Sequence, residues 1–430
     1  MNRCQFIGTL SVHGIAMTSM AAARASEAPA SPGKALIASP PVVQNPRAAG
    51  LGISLAVSGL ATAWVEYGFE KDNLAFTAVA SQHGLVAADD RVLHIRVNHS
   101  EAFPTHTPIY YRVVAQPLHY KNAYKLERGE PQSTPVYALR LPDPNAQNIR
   151  VVSINDTHEN AETLRRLNTQ IEALQPDVLI WNGDTCNDFN GNDAPEQILL
   201  NPVNDLSMAW AATRPLLYSN GNHDVRGERA REIVKIFSPC PESTELPYNQ
   251  ALRFGPLALV ILDTGEDKPD RHPVFAGTAA YEPYRENQAV WLKGVLQQEE
   301  IRNAPFKVAV CHIPLRGLEG QPDGTTLKGY ARYSGFGARL WLPQLKAAGF
   351  QGIISGHTHV ARHDMPTTDM PVHQFIGGGP KPEQATLTLI DAQLINDQAS
   401  MLIQITDLHG RVLFKQSFAE ASWLNQKHGI

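Results

Sequence analysis

The stretch IRVVSINDTH, Ile149–His158, joins a run of β-branched residues to an Asp-x-His motif. The run has the composition of a buried strand, and the polar motif begins where the run ends. Because loops that leave parallel strands converge at one edge of an α/β sheet, polar motifs at strand ends are expected to meet there. Four more motifs close or follow short apolar runs: Gly183-Asp184, Gly221-Asn222-His223-Asp224, His312 and Gly356-His357-Thr358-His359.

These motifs carry side chains of the types that bind metals. Taken singly, each motif recurs by chance in turns and solvated loops. Turn chemistry explains the glycines, but it gives no reason for histidines at four of these positions. The number of candidates is too large for one metal and fits two ions that share a bridging ligand. The candidate ligands are Asp156, His158, Asp184, Asn222, His312, His357 and His359.

A division of these ligands follows from what two neighbouring cations require. Ions about 3.5 to 4 Å apart need a carboxylate between them, since its charge offsets their repulsion. Asp184 is the best candidate for this bridge, because it is the only carboxylate in its motif. Mixed nitrogen and oxygen donors suit iron, manganese or zinc better than calcium. The other ligands are assigned as Asp156, His158 and His359 to the first ion, and Asn222, His312 and His357 to the second.

Beyond residue 148 the sequence alternates apolar runs with helical patterns, which indicates sheet-and-helix layering. Alternating runs in Ala385–Phe418 predict a few antiparallel strands that close the domain. The predicted strands are Ile149–Ile154, Val178–Trp181, Leu216–Ser219, Ala258–Leu262, Lys307–His312 and Gly352–Ser355. The predicted helices are Ala161–Leu174, Glu228–Phe237, Gln288–Ile301 and Arg339–Ala348.

The region before this domain has three parts. Residues 1–25 have a basic start at Arg3, a long stretch without acidic residues and small residues near Ala25, which indicates a signal peptide. The protein is therefore expected to be periplasmic or secreted, and cytoplasmic if this segment is not a signal peptide. Residues 26–40 are rich in Ala, Pro and Ser and are interpreted as a linker. Short alternating runs in residues 41–145 predict a small antiparallel β-sandwich, with Trp64 and Tyr111 in its core.

Composition limits the range of partners. The chain has 430 residues and a formal net charge of −5, with an isoelectric point near 6.3, so general nucleic-acid binding is not expected. After the N-terminal segment there is no run of about 20 apolar residues, so no membrane span is expected. The four cysteines are too few for a disulfide framework. A small-molecule substrate fits these limits best.

The ordered motifs resemble the signature of the calcineurin-like metallophosphoesterase superfamily, which runs D-x-H, G-D, G-N-H-D/E, H and G-H-x-H. The similarity covers roughly residues 149 to 362. It implies a four-layer α/β/β/α sandwich over residues 148–420, the division of ligands given above, and two divalent or trivalent metal ions. It also implies hydrolysis of phosphate esters, in which a metal-held hydroxide attacks phosphorus. In that family the histidine of G-N-H-D/E assists the leaving group, here His223, and its acidic neighbour orients the ring, here Asp224.

A second resemblance concerns the N-terminal sandwich. Thr62–Gly68 and Tyr110–Val113 are similar to the fibronectin-III-like domain of purple acid phosphatases. Those enzymes have glycine where His158 stands, and a tyrosine where this chain has Asn187. A phenolate ligand is missing and an imidazole is gained, so the purified holoprotein should lack the tyrosinate-to-iron colour. A charge-transfer band in its visible spectrum would contradict this prediction.

Several alternatives remain open from the sequence. Both a phosphate monoester and a diester fit the sequence, since the D-x-H form favours diesters and the sandwich domain favours monoesters. A non-catalytic exported binding protein on the same fold would show degenerate ligands, and none is degenerate here. Arg226 and Arg316 are candidates to hold phosphate, although arginines more often anchor loops. Three long loops should choose the substrate: Cys186–Leu206, Gly265–Asn287 and Pro314–Gly337.

Overall fold

The computed structural model describes residues 35–190, 194–237, 243, 245–316, 331–368 and 370–420. The predicted signal peptide, residues 1–25, lies outside the described residues, as do residues 26–34 of the predicted linker and most of the third substrate loop. From Ala35 onward the chain forms one unit. Within the described ranges, no helix is both long enough and apolar enough to cross a bilayer.

Every regular element between residues 42 and 139 is a β-strand. One sheet joins the first, second and eighth strands, and a larger sheet is built on the long ninth strand. The strands are β1 (Val42–Arg47), β2 (Gly50–Ala56), β3 (Ala61–Gly68), β4 (Phe76–Val79), β5 (Ser81–Gln82), β6 (Leu85–Val86), β7 (Ala88–Asp89), β8 (Val92–Asn98), β9 (Ile109–Asn122), β10 (Lys125–Arg128), β11 (Gln132–Ser133) and β12 (Tyr137–Leu139).

The two sheets enclose an apolar core, to which β2 and β8 contribute Ile53 and Ile95. Tyr111 on β9 is 1% exposed in this core, as the sequence predicted. The prediction for Trp64 is wrong. Side chains alternate along β3, so Trp64 lies on the face opposite the buried Val65, and its Nε1 donates to Glu66 Oε1 at 3.1 Å.

The described end of the predicted linker is packed, unlike a linker. Leu36 is 7% exposed in the sandwich core, and Ile37 pairs with Val57 in an isolated bridge. The backbone N–H of Ala38 also donates to the carbonyl of Ala56 at 2.8 Å. Residues 35–40 therefore belong to the sandwich, because their apolar side chains bury surface that a linker would leave in water.

The sandwich is joined to the following domain by buried hydrogen bonds. The hydroxyl of Tyr111 donates to the carbonyl of Ala212 at 2.8 Å, and the N–H of Val43 donates to the carbonyl of Ala211 at 2.9 Å. Residues 211 and 212 precede the strand that leads to Asn222. The sandwich therefore supports a segment that continues into the candidate site.

The Tyr111→Phe substitution should lower the free energy of unfolding by about 1–2 kcal/mol, because it leaves the buried carbonyl of Ala212 without its donor. Urea denaturation followed by fluorescence or circular dichroism measures this change. Tyr110→Phe, one residue away on the other face of β9, is the matched control and should change little. Equal losses in both variants would show that the hydrogen bond to Ala212 is not the cause.

The larger domain contains two six-stranded sheets. Their strand orders are β15-β14-β13-β22-β23-β24 and β16-β17-β18-β19-β21-β20. The strands that lead to the candidate ligands run parallel within each sheet. The strands are β13 (Asn148–Ile154), β14 (Val178–Asn182), β15 (Leu216–Ser219), β16 (Gln250–Phe254), β17 (Leu257–Ile261), β18 (Phe306–Val310), β19 (Gly352–Ser355), β20 (Arg362–Asp364), β21 (His373–Ile376), β22 (Thr386–Ile395), β23 (Gln398–Asp407) and β24 (Val412–Glu420).

Helices cover the outer face of each sheet. The α-helices are α1 (Ala161–Leu174), α2 (Pro195–Leu200), α3 (Ile233–Ile236), α4 (Tyr281–Val295), α5 (Glu299–Arg302) and α6 (Ala331–Ala347), and single 3₁₀ turns span Ala230–Glu232 and Pro273–Phe275. The predicted helix Glu228–Phe237 is therefore only a 3₁₀ turn followed by α3. The helices predicted from Gln288 and Arg339 begin several residues earlier, at Tyr281 and Ala331.

The four layers are held by three apolar interfaces. Val151 on β13 and Val308 on β18 share the core between the two sheets. Leu167 of α1 packs on the outer face of the first sheet, while Leu292 of α4 and Trp341 of α6 pack on the outer face of the second. This is the α/β/β/α architecture that the family resemblance implied, and it brings the carboxyl ends of the parallel strands to one edge.

Candidate metal centre

The structure brings the predicted ligands together in two groups. In the first group, the ligand atoms of Asp156, His158, Asp184 and His359 all lie within 4.8 Å of one another. In the second group, those of Asp184, His312 and His357 do the same. Asp184 belongs to both groups, so its carboxylate lies where two neighbouring ions could share it.

Asn222 joins the second group through its amide oxygen. Its Oδ1 lies 2.7 Å from Nδ1 of His357, and the Asn222 side chain is buried. All seven candidate ligands therefore lie in one cluster at the carboxyl edge of the two sheets.

The two carboxylates are oriented by backbone donors. Oδ2 of Asp156 accepts the N–H of His357 at 2.7 Å, and Oδ1 of Asp184 accepts the N–H of His223 at 2.9 Å. The other oxygen of each carboxylate faces imidazoles. Oδ1 of Asp156 is 3.2 Å from Nε2 of His359, and Oδ2 of Asp184 is 3.2 Å from Nε2 of His312. In each carboxylate, one oxygen accepts a backbone N–H and so holds a loop in place, while the other oxygen faces the candidate metal centre.

Two histidines are held by one ring nitrogen so that the other faces the carboxylates. Nδ1 of His158 lies 3.1 Å from Oδ1 of Asn187, and Nδ1 of His312 lies 2.8 Å from the carbonyl of Asn182. Because both acceptors require an N–H, each ring has its lone pair at Nε2 when neutral. Both Nε2 atoms are buried and face Oδ2 of Asp184, at 3.6 Å from His158 and 3.2 Å from His312. This is the arrangement that metal-ligating histidines adopt.

The ligand positions share an uncommon backbone conformation. A left-handed backbone is rare for residues other than glycine, and Asp, Asn and His adopt it more readily than most. Such residues often mark functional sites, where the surrounding fold holds them in place. The ligands with positive φ are Asp156 (48°), His158 (42°), Asp184 (50°), His357 (70°) and His359 (55°).

Gly221 is required by the close approach of two strand-end loops. A Cβ at this position would lie 2.2 Å from Oδ1 of Asp184 and 2.3 Å from its backbone nitrogen. Any side chain would therefore displace the carboxylate shared by the two ligand groups.

Burial and neighbouring charges shift the pKa values in the cluster. Burial alone would raise the pKa of Asp184, but the imidazoles around it, that of His312 foremost, hold it well below its usual range. Burial disfavours the charged form of His312 too, but the carboxylates of Asp184 and Asp156 raise its pKa to about 10. The buried carboxylate of Asp184 thus stays ionised and favours positive charge beside it.

His223 lies at the edge of the cluster, beside His158. Their ring centroids are 4.8 Å apart in an edge-to-face arrangement. Nδ1 of His223 lies 2.6 Å from the carbonyl of Asn187, and its Nε2 lies 3.2 Å from Nη1 of Arg226. The ring is therefore fixed by a backbone acceptor and faces the centre without belonging to either ligand group.

The role expected for Asp224, orienting the His223 ring, is not what the structure contains. The Asp224 carboxylate accepts the N–H of Gly221 at 2.7 Å, the N–H of Thr185 at 2.9 Å and the Thr185 hydroxyl at 2.6 Å. Its fully buried side chain points under the loops, and both nitrogens of His223 have other partners. Asp224 instead ties the loop after β14 to the loop after β15.

Arg226 and Arg316 differ in their surroundings. The guanidinium of Arg226 donates to both carboxylate oxygens of Glu266, at 2.8 and 2.6 Å, and to Asp267 at 2.8 Å. It is therefore an anchored group that also reaches His223. Arg316 contributes its backbone to the fold, since its carbonyl accepts from Arg362 at 2.7 Å.

Sequence analysis did not identify the groups that hold the ligands. In the sequence Asn187 stands only where the purple acid phosphatases have a tyrosine, yet in the structure its side chain contacts His158 and its carbonyl contacts His223. Asn155 was also missed, although its amide donates to Oδ2 of Asp156 at 2.5 Å. Both lie next to or within three residues of a motif aspartate, which is the signal that could have drawn attention to them.

Asn187→Ala should weaken the binding of one metal ion by about 10- to 100-fold, because the His158 ring loses the acceptor that fixes it. Titration against a chromophoric chelator measures this affinity. Asn187→Asp keeps an acceptor and should restore binding, and Asn122→Ala, which removes an exposed loop acceptor in the sandwich, is the control. Parental affinity in Asn187→Ala would show that His158 is oriented without it.

A match to a known protein family agrees with this geometry. Residues 149–361 match the family model described as calcineurin-like phosphoesterase. Similar solved structures include a dimetal phosphatase from Danio rerio, at 14% identity and a TM-score of 0.44, covering 64% of this chain and 99% of that one. A phosphoesterase from E. coli is similar at 13% identity and a TM-score of 0.29, with coverage of 62% and 98%. No curated protein sequence matches the chain.

The phosphopantetheinyl hydrolase from Mycobacterium tuberculosis is a further similar structure, at 15% identity and a TM-score of 0.33, covering 54% of this chain and 91% of that one. Similarities this distant carry no information on substrate. The family match spans all five motifs and both ligand groups. Residues 149–361 therefore form a calcineurin-like phosphoesterase domain, and the chain is a metal-dependent hydrolase of phosphate esters.

Proposed function

We propose that this protein hydrolyses phosphate monoesters or diesters at a centre of two metal ions, with His223 assisting the leaving group. In this proposal Asp184 bridges the ions. The first ion is held by Asp156, His158 and His359, and the second by Asn222, His312 and His357.

The observation that carries the proposal is the sharing of Asp184 between two groups of ligand atoms. A single-ion site would need only one of these groups. A site built for structure alone would satisfy its buried polar atoms internally, because unpaired buried groups cost free energy. Here Oδ1 of Asp156 and Nε2 of His158 and His312 are buried without a well-aligned hydrogen bond among the described residues, and the ion-pair contacts they make, at 3.2–3.6 Å, are with other candidate ligands.

The donor set fits iron, manganese or zinc, since it combines imidazole nitrogens with carboxylate and amide oxygens. When bound, two such ions would supply Lewis-acid stabilisation of the phosphoryl group and lower the pKa of a water molecule. Asn187 and the carbonyl of Asn182 would keep the ligating rings in place.

His223 is proposed to donate a proton to the leaving oxygen. Its Nδ1–H is retained by the carbonyl of Asn187, so Nε2 is the nitrogen that exchanges a proton with the substrate. Arg226 now donates to that nitrogen, and a phosphoryl oxygen would be a stronger acceptor for its guanidinium. The substrate would therefore draw Arg226 to the phosphate and leave Nε2 free to carry the proton that the departing alkoxide needs.

The proposal is tested on protein purified without chelator. Elemental analysis should find two ions per chain and identify them. Turnover of 4-nitrophenyl phosphate and of bis(4-nitrophenyl) phosphate then discriminates monoesterase from diesterase activity. Hydrolysis of neither ester after addition of iron, manganese or zinc would contradict the proposal. We also propose that the enzyme acts after export, which detection of a processed N-terminus in periplasmic or secreted fractions would test.

A further inference from the structure

A cleft of about 970 Å³ lies beside the metal centre, between the loop after β15 and the segment that leads into α4. Ligand-binding clefts in proteins typically measure roughly 300–1,000 Å³ and combine apolar walls with a few polar groups. This cleft is large enough for the organic part of an ester, and of its lining residues the phosphoesterase chemistry described above uses only Arg226.

Two residues that line the cleft connect it to His223. Arg226 lines the cleft and lies 3.2 Å from Nε2 of His223. Asp188, which also lines the cleft, follows Asn187, whose carbonyl holds the same histidine. The cleft therefore opens on the side of the centre where a proton would reach the leaving oxygen.

One wall of the cleft carries aromatic rings. Phe275 and Tyr281 both line it, with ring centroids 6.4 Å apart. Gly265 allows the Tyr281 ring to pack directly on the backbone, since a Cβ there would lie 2.4 Å from Cδ1 of the ring. Val274 on this wall and Val234 among the other lining residues are 65% and 42% exposed. Exposed apolar side chains grouped around a cleft favour a ligand with apolar faces.

A buried amide lies at the inner surface of the cleft. Asn220 lines it and is 3% exposed, and its amide nitrogen donates to Asp263 Oδ2 at 2.9 Å. Tyr284 donates to the same carboxylate oxygen at 3.0 Å, which fixes this group. The amide oxygen of Asn220 is buried and lacks a partner among the described residues. A ring that carries an N–H or O–H group would satisfy it.

We propose that this cleft binds the planar aromatic part of the alcohol that the enzyme releases, an aryl or nucleobase group with a hydrogen-bond donor. The inference rests on the proposed phosphoesterase function, because it requires the ester phosphorus to lie at the metal centre. Phe275 and Tyr281 provide the faces for the ring, and Asn220 accepts its donor group.

Binding is measured by titrating adenosine, 4-nitrophenol and glycerol into the full-length, metal-loaded protein by calorimetry. We expect saturable binding of at least one aromatic probe and none of glycerol. Phe275→Leu and Tyr281→Leu should each weaken that binding by about tenfold, since base stacking on an aromatic side chain has this magnitude. Tyr124→Leu, at a fully exposed tyrosine of the β9–β10 hairpin, is the matched control and should bind as the parent does. Thermal melting checks that each variant is folded.

Kinetics provide the second measurement. The ratio of kcat/KM for 4-nitrophenyl phosphate to that for glycerol 2-phosphate, and for AMP to ribose 5-phosphate, should fall in both cleft variants and not in Tyr124→Leu. A larger fall in the ratio for AMP to ribose 5-phosphate identifies a nucleobase ligand. A larger fall in the ratio for 4-nitrophenyl phosphate to glycerol 2-phosphate identifies an aryl ligand. Phe275 lies at the half-buried surface of the cleft, so its variant still decides the test if Tyr281→Leu unfolds.

The two proposals fail differently. Hydrolysis of esters with unchanged ratios and no binding of either aromatic probe would overturn the aromatic cleft and leave the phosphoesterase function standing. Binding of the probes without turnover of any ester would overturn the phosphoesterase function, and with it the identification of the ligand as a leaving alcohol.

Discussion

Asp184→Asn is expected to lower kcat/KM for phosphate esters by about 10³-fold or more, because two cations lose the negative charge between them and several kcal/mol of charge stabilisation with it. The amide keeps an oxygen that can accept the N–H of His223, a bond of 2.9 Å in the parent protein. The loop geometry should therefore survive while the charge is removed. Elemental analysis should find fewer than two ions per chain.

The control for this variant is Asp397→Asn, the same chemical change at an exposed residue in the turn between β22 and β23. It should keep the parental metal content and turnover. If Asp184→Asn also kept both, the two ligand groups would not share an ion-bridging carboxylate, and the dinuclear proposal would be wrong.

His223→Ala should reduce the turnover of alkyl phosphate esters by about 10²- to 10⁴-fold, the usual contribution of general acid catalysis. The loss should be much smaller for 4-nitrophenyl esters, since nitrophenolate departs without a proton. Metal content should stay at the parental value, because His223 belongs to neither ligand group. Kinetics on esters whose leaving alcohols differ in pKa measure this difference.

His99→Ala is the control for His223→Ala, since it removes an imidazole that packs among aromatic rings of the sandwich. It should leave the dependence on leaving-group pKa as in the parent. An equal loss for all esters in His223→Ala would assign His223 to positioning of the phosphate and not to proton donation.

Secondary structure was predictable from the sequence where the hydrophobic pattern and the residues at the ends of an element indicate the same boundaries. Helix α1 matches its prediction because Asn160 caps it by accepting the N–H of Thr163, and Pro176 follows shortly after its end. The start of α4 was not predicted because Ala280, the residue before the helix, has no side chain that can cap it. The sequence therefore lacks the usual N-cap signal before Tyr281. Trp64 was wrongly predicted to lie in the core because large aromatic residues are usually buried. In β3 side chains alternate between the two faces, and it is the neighbouring Val65 that faces the core.

The candidate ligands were predictable because each follows a recognisable strand, and parallel strands bring their ends together. The contacts around them were not, since they join residues far apart in sequence. Arg226 meets Glu266 across 40 positions, and His158 meets Asn187 across 29. The role expected for Asp224 failed for the same reason, because sequence proximity to His223 did not reveal that its side chain points towards Thr185.

The left-handed backbone at five ligand positions restricts how this centre could evolve. Asp, Asn and His are the residues, besides glycine, that accept this conformation most readily, and they are also donors to transition metals. An exchange of one of these for another alters charge and donor type while the loops stay where they are. Glutamate and cysteine adopt this conformation less readily, so an exchange to either would also cost stability. Changes of metal preference in descendants of this protein should therefore proceed through swaps within that small repertoire.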